Sequence, residues 1–512
     1  MTSSLFGIFN SHRSLLLNQA ALNLINSNIA NINTPGYSKQ RLELSQNIIS
    51  SSDSSIPMNA AQSGGGAIID SISRNRDAYL DTYYRRESTS LNFYKELNET
   101  ATLIEDISNE LGETGISGAF NEFYNAAHQL SINPTDSIIR NDFIQKAMDL
   151  CNRFNLTYDR LDQLRDNLVG DITNPSTLDT SKVALTVDDL NTQLAALADL
   201  NKTISTSTAQ GTTPNGLLDE RDRLLDRISE YIPINVTQGA NNLVTVSLGS
   251  TNLVTGREQV GFFDVVAGDI NNPATVKIVD STAVDIVANA NSLITSGKLG
   301  GILQMGGSNA NELNIYNTLS SLNTLAQEFA TQVNTIHQGG QYIDTSVTPN
   351  TLALVSAVPF DIFVESNAVT NATYANMTAG NITLNQDVIN DAFKVAAASA
   401  TSAANETGDG GNALVLAQLR NTKIATLGSS DTESFLNSVI GKLGIQIKSI
   451  QDSYTSQGTI VQQINSRREA TIGVNLDEEL TDLIRFQRAF EASAKVLNVM
   501  DKALEQIIGL AR

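Results

Sequence analysis

The chain has 512 residues, 41% of them hydrophobic, enough to bury a sizeable core and to divide into several domains. Its 33 Lys and Arg stand against 54 Asp and Glu, a formal net charge of −21 that favours solubility and argues against nonspecific binding to nucleic acid or an anionic membrane. A single cysteine, Cys151, excludes an intrachain disulfide and reads as a small buried hydrophobe.

The opening stretch, MTSSLFGIFNSHRSLLLNQ, lacks the basic first segment of a secretory signal, and Asn10, Ser11, His12, Arg13 and Asn18 interrupt its apolar residues. No window approaches the uninterrupted apolar length of a membrane span, so composition alone reads as cytosolic. Steps of three and four from Ile8 reach Ser11, Leu15, Asn18, Leu22, Ile25, Ile29 and Ile32, six of the eight positions being apolar, which predicts a helix with a coiled-coil-like seam. Asn31-Ile32-Asn33-Thr34-Pro35-Gly36-Tyr37 then closes it. Pro35 pushes Thr34 out of the helical region, and Pro35-Gly36 suits the centre of a type II turn with Gly36 at positive φ. SKQRLELSQNI alternates polar and apolar like a short strand, and the glycines at 64–66 read as a flexible loop.

From about Ile72 to Asn167 the pattern predicts helices, punctuated by Gly112 and Pro134. Further helices are predicted in VDDLNTQLAALADLNKTIS, LLDERDRLLDRISEYI and NELNIYNTLSSLNTLAQEFATQVNTIHQ. Between Pro233 and about Ile294 the pattern shifts to short β-rich runs, and a second such insert spans Gly339 to about Ile389. Each insert is bounded by Gly, Pro or Asn and is expected to fold as an independent outer module. Helical character resumes at Asp391, and Leu436, Ile440, Leu443, Ile447, Ile450, Tyr454, Gln457, Val461 and Ile464 mark a long helix. The last helix carries the stripe Leu483, Phe486, Phe490, Ser493, Leu497, Met500, Leu504 and Ile507, broken only by Ser493. Asn475 and Glu478 are spaced as a capping box, with Asp477, Glu478 and Glu479 favourable to the helix dipole.

The expected fold is therefore mainly α with β-rich inserts: long terminal helices, a helical-bundle body and outer β domains. The divisions are residues 1–70 with 470–512 as a terminal coiled-coil domain, and 71–235 with 295–338 and 391–469 as the body. Residues 236–294 and 339–390 are the two inserts. Long helices need a partner seam to repay their ordering entropy. Pattern leaves open whether the terminal helices pack as an ordinary bundle or serve contacts between chains.

Signals of chemistry are sparse. His12, His128 and His337 are isolated, so no H-E-x-x-H spacing suggests a metal, and G-x-S-x-G, P-loop and G-x-G-x-x-G patterns are absent. DERDRLLD, Asp219 to Asp226, alternates acids and arginines along one helix and reads as a solvated, salt-bridged face, not a catalytic pair. The run Tyr79, Tyr83, Tyr84, Arg85, Arg86 is interleaved with Asp77 and Asp81, which favours a protein contact over nucleic acid.

Here the residues carry a resemblance. NIANINTPGYSKQ (28–40) resembles the signature after the first helix of flagellar axial proteins, and GVNLDEELTDLIRFQRAFEASAKVLNVMDKALEQII is similar to their C-terminal signature. GLLDERDRLLDRIS, SGKLGGILQ, LNTLAQEFATQVNTIHQGG and GDGGNALVLAQLRN resemble the hook-associated protein 1 family in particular, with His337 at the family's structural histidine. The likeness spans both ends and the body but not the inserts. It implies a non-catalytic subunit without cofactor or metal, joining hook to filament at the junction. Its terminal helices pair and fold on assembly. It implies partners too: further copies in a ring, the hook protein, the second hook-associated junction protein and a flagellar export chaperone, with neither nucleic acid nor membrane. It also implies unfolded export through the flagellar type III apparatus to an extracellular site. The alternatives are a distal-rod or hook protein of the same superfamily, or a secreted adhesin or enzyme with coiled-coil ends.

Overall fold

The structure, a computed structural model, describes residues 2–46, 66–109, 115–171, 173–269, 274–309, 312–355, 360–366 and 376–510. Of the loop expected at 64–66, only Gly66 falls among them. The fold is mainly helical with several small β-sheets, as the hydrophobic periods predict.

Helix α1 (Thr2–Ala30) leads into a hairpin of β1 (Gln40–Gln46) and β2 (Ala67–Arg74), antiparallel with Gln40 opposite Arg74 and a bulge at Glu43/Leu44. The body follows with α2 (Ala78–Asn109), α3 (Ile116–Ile132), α4 (Ser137–Val169), α5 (Lys182–Ala209) and α6 (Asn215–Tyr231). Asp136 and Ser181 cap α4 and α5 by accepting from the backbone N–H groups of Ile138 and Ala184.

The first insert forms a four-stranded sheet of β3 (Asn235–Gln238), β4 (Val244–Leu248), β5 (Thr251–Thr255) and β6 (Glu258–Gln259). A three-stranded sheet follows, β7 (Phe262–Ala267), β8 (Ala274–Val279) and β9 (Asp285–Val287). Helices α7 (Gly297–Gly306) and α8 (Ile315–Gln338) return the chain to the body. The second insert contributes β10 (Gly340–Asp344), β11 (Thr351–Leu354), β12 (Phe363–Glu365), β13 (Ile382–Leu384) and the short α9 (Gln386–Asn390). At Asp391 helical character resumes only as one 3-10 turn, Ala392–Lys394, capped by the Asp391 side chain. A strand, β14 (Ala398–Ser399), pairs with β10, and a loop with glycines at 408 and 410 precedes α10 (Gly411–Gln418). Long helices return with α11 (Thr432–Ile472) and α12 (Leu476–Leu510).

Two hydrophobic clusters form the body. One gathers Phe120, Phe123, Phe143, Phe154 and Phe329 of α3, α4 and α8, and it includes Phe363, Ile382 and Leu384 of the second insert. The other joins α2, α5, α6 and α7 to Val244, Val246 and Leu248 of β4 and Val276 and Ile278 of β8. The alternate residues of each strand that face inward are filled by the helices opposite. Neither insert therefore keeps its apolar core to itself, and the expectation of independently folding modules is corrected. Gly, Pro and Asn mark where the chain turns, but core continuity decides what folds together.

Candidate functional site at the joined chain ends

Helices α1 and α12 pack on one another antiparallel. Contacts between Gly7 and Met500, Ser14 and Ser493, and Asn28 and Glu479 advance along the two helices at the same pace. Ile8, Leu15, Leu22 and Ile29 are half-buried, and Ile25 is buried with Ala21. Opposite them Leu483, Phe486, Phe490, Leu497, Met500 and Leu504 are half-buried, while the Ile507 side chain lies outside the described residues. Ile32 is a correction: α1 ends at Ala30, so Ile32 sits in the following turn and is exposed.

Two of the polar residues that interrupt the stripes, Asn18 and Ser493, meet across the seam beside Ser14. Ser14 Oγ and Ser493 Oγ lie 2.9 Å apart, and the amide of buried Asn18 reaches both hydroxyls at 3.5 Å. The seam is thus apolar with one polar layer across it.

The turn takes the geometry its sequence predicts. Gly36 has φ +81°, and the Tyr37 N–H donates to the Thr34 carbonyl at 3.2 Å. Asn31 holds the end of α1 by donating to the Ser27 carbonyl and accepting from Thr34 Oγ1. The Tyr37 hydroxyl donates to Asn28 Oδ1 at 2.8 Å, and that oxygen also accepts the Gln40 N–H. Asn28 Nδ2 donates to the Gln40 carbonyl and to Glu479 of α12 at 3.1 Å. One buried amide therefore ties α1, the turn, β1 and α12 together. The capping box is half present: Asn475 accepts from the Asp477 N–H, but Glu478 turns away to Lys39, 2.8 Å from its Nζ. A charge partner outcompetes the backbone for that carboxylate.

Beyond the turn the chain end is fixed to the body through DERDRLLD. Ser38 donates its N–H and hydroxyl to Asp219 at 3.2 and 2.7 Å, and Arg74 Nη1 reaches Asp219 and Asp222 at 2.8 and 2.9 Å. Arg76 bridges Asp81 and Asp222, and Arg85 pairs with Asp226. Arg468 of α11 reaches Asp81 at 3.1 Å and Asp226 at 2.8 Å, its guanidinium 4.1 Å from the Tyr84 ring centroid. Arg74, Asp219, Asp222, Arg76, Asp81 and Arg468 are each only about a tenth exposed at the side chain. The expected solvated face is therefore corrected to a buried ionic joint. Asp219, Asp222 and Asp226 each meet a guanidinium from another element, while Glu220 pairs with Arg223 of its own helix and Arg221 lies beside Asp222. Burial pushes the Asp222 carboxyl up, but Arg76, Arg221, Arg74 and Arg85 outweigh it and hold it below the usual carboxylate range.

The aromatic run divides. Tyr84 and Arg85 belong to the joint, while Tyr79 stacks on Tyr83 at the surface beneath Arg86. Cys151 is buried in the core beside Phe154. His337 is fully buried, which lowers its pKa to about 4 and keeps it neutral; its Nε2 lies 3.3 Å from the Lys394 carbonyl oxygen. Among the described residues, no group of three or more His, Cys, Asp and Glu side chains is placed to hold a metal ion. Again among them, no helix is long and apolar enough to cross a membrane. Sequence reasoning missed Asn28, Ser38, Arg74, Arg76 and Arg468 as joint residues. Asn28 and Ser38 stood inside the quoted signature; the arginines carried no local signal.

Three family models match the chain: "Flagella basal body rod protein" over residues 13–37, "Flagellar basal body rod FlgEFG protein C-terminal" over 466–510, and "Flagellar hook-associated protein FlgK helical domain" over 101–350. The two end models cover the paired helices and the turn, which marks the class as an axial structural protein of the bacterial flagellum. Over nearly its whole length the chain is similar to flagellar hook-associated protein 1. Its relatives include flagellar hook-associated protein 1 of Bacillus subtilis, 28% identical over 99% of this chain and 98% of the relative. The Escherichia coli protein of the same name is 24% identical over 98% and 99%. The solved structure of the flagellar hook junction protein FlgK from Burkholderia pseudomallei shares the fold at a TM-score of 0.58 and 16% identity. That match covers 76% of this chain and 99% of the other.

Proposed function

We infer that the chain is a structural subunit of the bacterial flagellum that joins hook to filament, is required for filament assembly and does no chemistry. The observation that carries the reading is the joint itself. Both ends of one chain form a helical pair, and the signature turn locks that pair onto the family's helical body through Asn28 and Asp219. Such an arrangement supports a rigid building block whose ends and body must hold a fixed relation.

Subunits add head to tail in a ring that continues the hook lattice, with the hook protein on one side and the second hook-associated protein on the other. The paired ends form the inner domain, and Asn31, Thr34, Pro35, Gly36 and Tyr37 set the angle at which it leaves the body. Export proceeds unfolded through the flagellar type III apparatus with a chaperone, and the subunit acts outside the cell. Deleting the gene in its host and imaging the cells tests the reading. Hooks without filaments, with flagellin lost to the medium, are expected; normal filaments would refute it.

A further inference from the structure

An open cleft lies away from the chain ends, between α2 and the first insert. Its volume is ≈ 500 Å³, with Ile234, Val236, Leu248 and Leu293 on one wall and Arg85 and Arg86 of α2 on the other. Strand β3 borders it and is the edge of its sheet. Just past the strand, the Gly239 N–H donates to the Leu243 carbonyl at 2.8 Å. Bonded and non-bonded pairs alternate in an antiparallel ladder, so Asn235–Ser247 and Thr237–Thr245 exchange the bonds to β4. Val236 and Gln238 therefore turn their N–H and C=O groups away from the sheet, and among the described residues no hydrogen bond takes those of Val236. A half-empty ladder beside a helix and an apolar wall is what an added strand requires.

Charge says which strand fits. Acids outnumber bases 54 to 33 across the chain, yet none of the residues lining the cleft is acidic, so an acidic copy can approach there without repulsion. Arg85 is paired with Asp226 in the joint, while Arg86 is 73% exposed at the side chain and lies 2.9 Å from Glu87. Tyr79, 74% exposed and stacked on Tyr83, continues the rim beneath Arg86. Exposed tyrosine beside arginine is the composition of a protein contact. The chain itself offers a complementary strand. β9 is the free edge of the three-stranded sheet, where Val284 and Ile286 are 60% and 47% exposed with Asp285 between them. An acid between two uncovered apolar residues matches a cleft with an arginine rim and an apolar wall.

We propose that in the assembled ring the β9 edge of one copy, Val284 to Val287, adds to β3 of the next copy as a further strand, with Asp285 against Arg86. The contact is head to tail, so it links copies one after another instead of closing a pair. β9 is short, and Ile286 is a bulge between the Asp285–Val279 and Val287–Ile278 pairs. The added strand is therefore weak by itself and forms where assembly holds copies side by side. It lies apart from the terminal helices, and it rests on the reading of the chain as a self-assembling subunit.

Mixed assembly of two cysteine variants of the full-length chain tests the contact, Cys151 being buried and silent. Asn235 lies exposed in the cleft and Val284 at the β9 edge. In hook structures isolated from cells that express both Asn235→Cys and Val284→Cys copies, a short bismaleimide should give cross-linked pairs; either variant alone should give none. Val236→Pro removes an outward N–H and no bond to β4, and Arg86→Glu reverses the rim charge. Each, placed in the Asn235→Cys copy, should leave the melting temperature within a few degrees and cut the cross-link by roughly tenfold or more. Asp285→Arg in the other copy should restore the cross-link to the Arg86→Glu variant. If gene deletion strips the filaments but the mixture gives no pairs, or pairs indifferent to both cleft variants, the contact is wrong and the function stands. Cross-linking of Asn235→Cys to some other protein in place of Val284→Cys would give the cleft to a different partner and overturn the contact as well. If deletion leaves filaments intact, the functional reading itself fails.

Discussion

Asp219 is the point at which the N-terminal signature is bound to the body, so its charge can be removed without touching a hydrophobic contact. In Asp219→Asn the Ser38 hydroxyl keeps an acceptor, while Arg74 loses one of two carboxylates and retains Asp222 at 2.9 Å. Breaking a buried ion pair typically costs ~3–5 kcal/mol, and the surviving Asp222 contact puts this case near the lower end. The loss is local, because the joint connects the ends to a body with its own two hydrophobic clusters. Hydrogen exchange at Ser38, Lys39 and Asn75, whose amides are bonded within the joint, should therefore speed up by roughly 100-fold, the equivalent of ~3 kcal/mol. Amides of α3 and α8 should be unchanged. In a double-mutant cycle, Arg74→Gln added to Asp219→Asn should cost clearly less than the sum of the two, with coupling of ~1 kcal/mol or more. Additive effects, or a loss below ~0.5 kcal/mol, would return DERDRLLD to the status of a solvated face.

Gly36→Val places a β-branched residue at φ +81°, with the nearest foreign atom, on Arg223, still 3.6 Å from the new Cβ. Strain of about 1–3 kcal/mol in the turn and poor incorporation at hooks should follow, read by exchange of the Tyr37 amide, with Gly36→Asn much better tolerated. Phe363→Ala, which removes a ring 5.2 Å from Phe329, should cost about 3–5 kcal/mol and lower the melting of the helical body; no change would restore the insert as an independent module. Asp222 is held below the ordinary carboxylate range, so its contribution is present above the unfolded pKa near 4 and is lost as pH falls below that through its folded value. Exchange of the Asn75 amide should accordingly accelerate between pH 4 and more acid conditions in wild type, and this acceleration should be blunted in Asp222→Asn.

The helices were legible because their signal is local and repeated. The pattern in α2, α3, α4 and α6 puts apolar residues every three or four positions, and the structure places both ends of α6 within two residues of LLDERDRLLDRISEYI. The turn was legible for the same reason, since Pro35 and Gly36 carry their backbone preference with them. What stayed hidden depends on residues far apart in sequence. Arg74, Arg76 and Arg468 look like ordinary surface cations until α2, α6 and α11 converge on them. The inserts failed in the opposite sense: their Gly and Asn boundaries suggested modules, yet alternate strand residues such as Val244 and Val246 were already available to a neighbouring helix. A period of two identifies a buried face without saying whose core it joins.

The polar breaks in the two terminal stripes show how a defect in a pattern carries information. A wholly apolar seam of evenly spaced residues can slide by one heptad with little loss of contact, and at this joint such a slip would separate Asn28 from Glu479 and the turn from Asp219. Ser14, Asn18 and Ser493 find one another in a single register only; any slip buries Asn18 against leucine or methionine with its amide unpaired. The layer thus gives up apolar burial for position. Replacing Asn18 by Leu and Ser493 by Ala should raise the stability of the pair, because two well-packed apolar residues are commonly worth more than a partly satisfied polar contact of about 1 kcal/mol. The same double variant should lose uniqueness. With Gly7→Cys and Met500→Cys, whose positions face each other, wild type should form that disulfide and no other. In the apolar variant, Met500→Cys should also cross-link to cysteine placed at Ser14, one heptad from Gly7. A double variant that is less stable, or that keeps the single 7–500 cross-link, would show that the serines and asparagine hold the pair together instead of choosing its register.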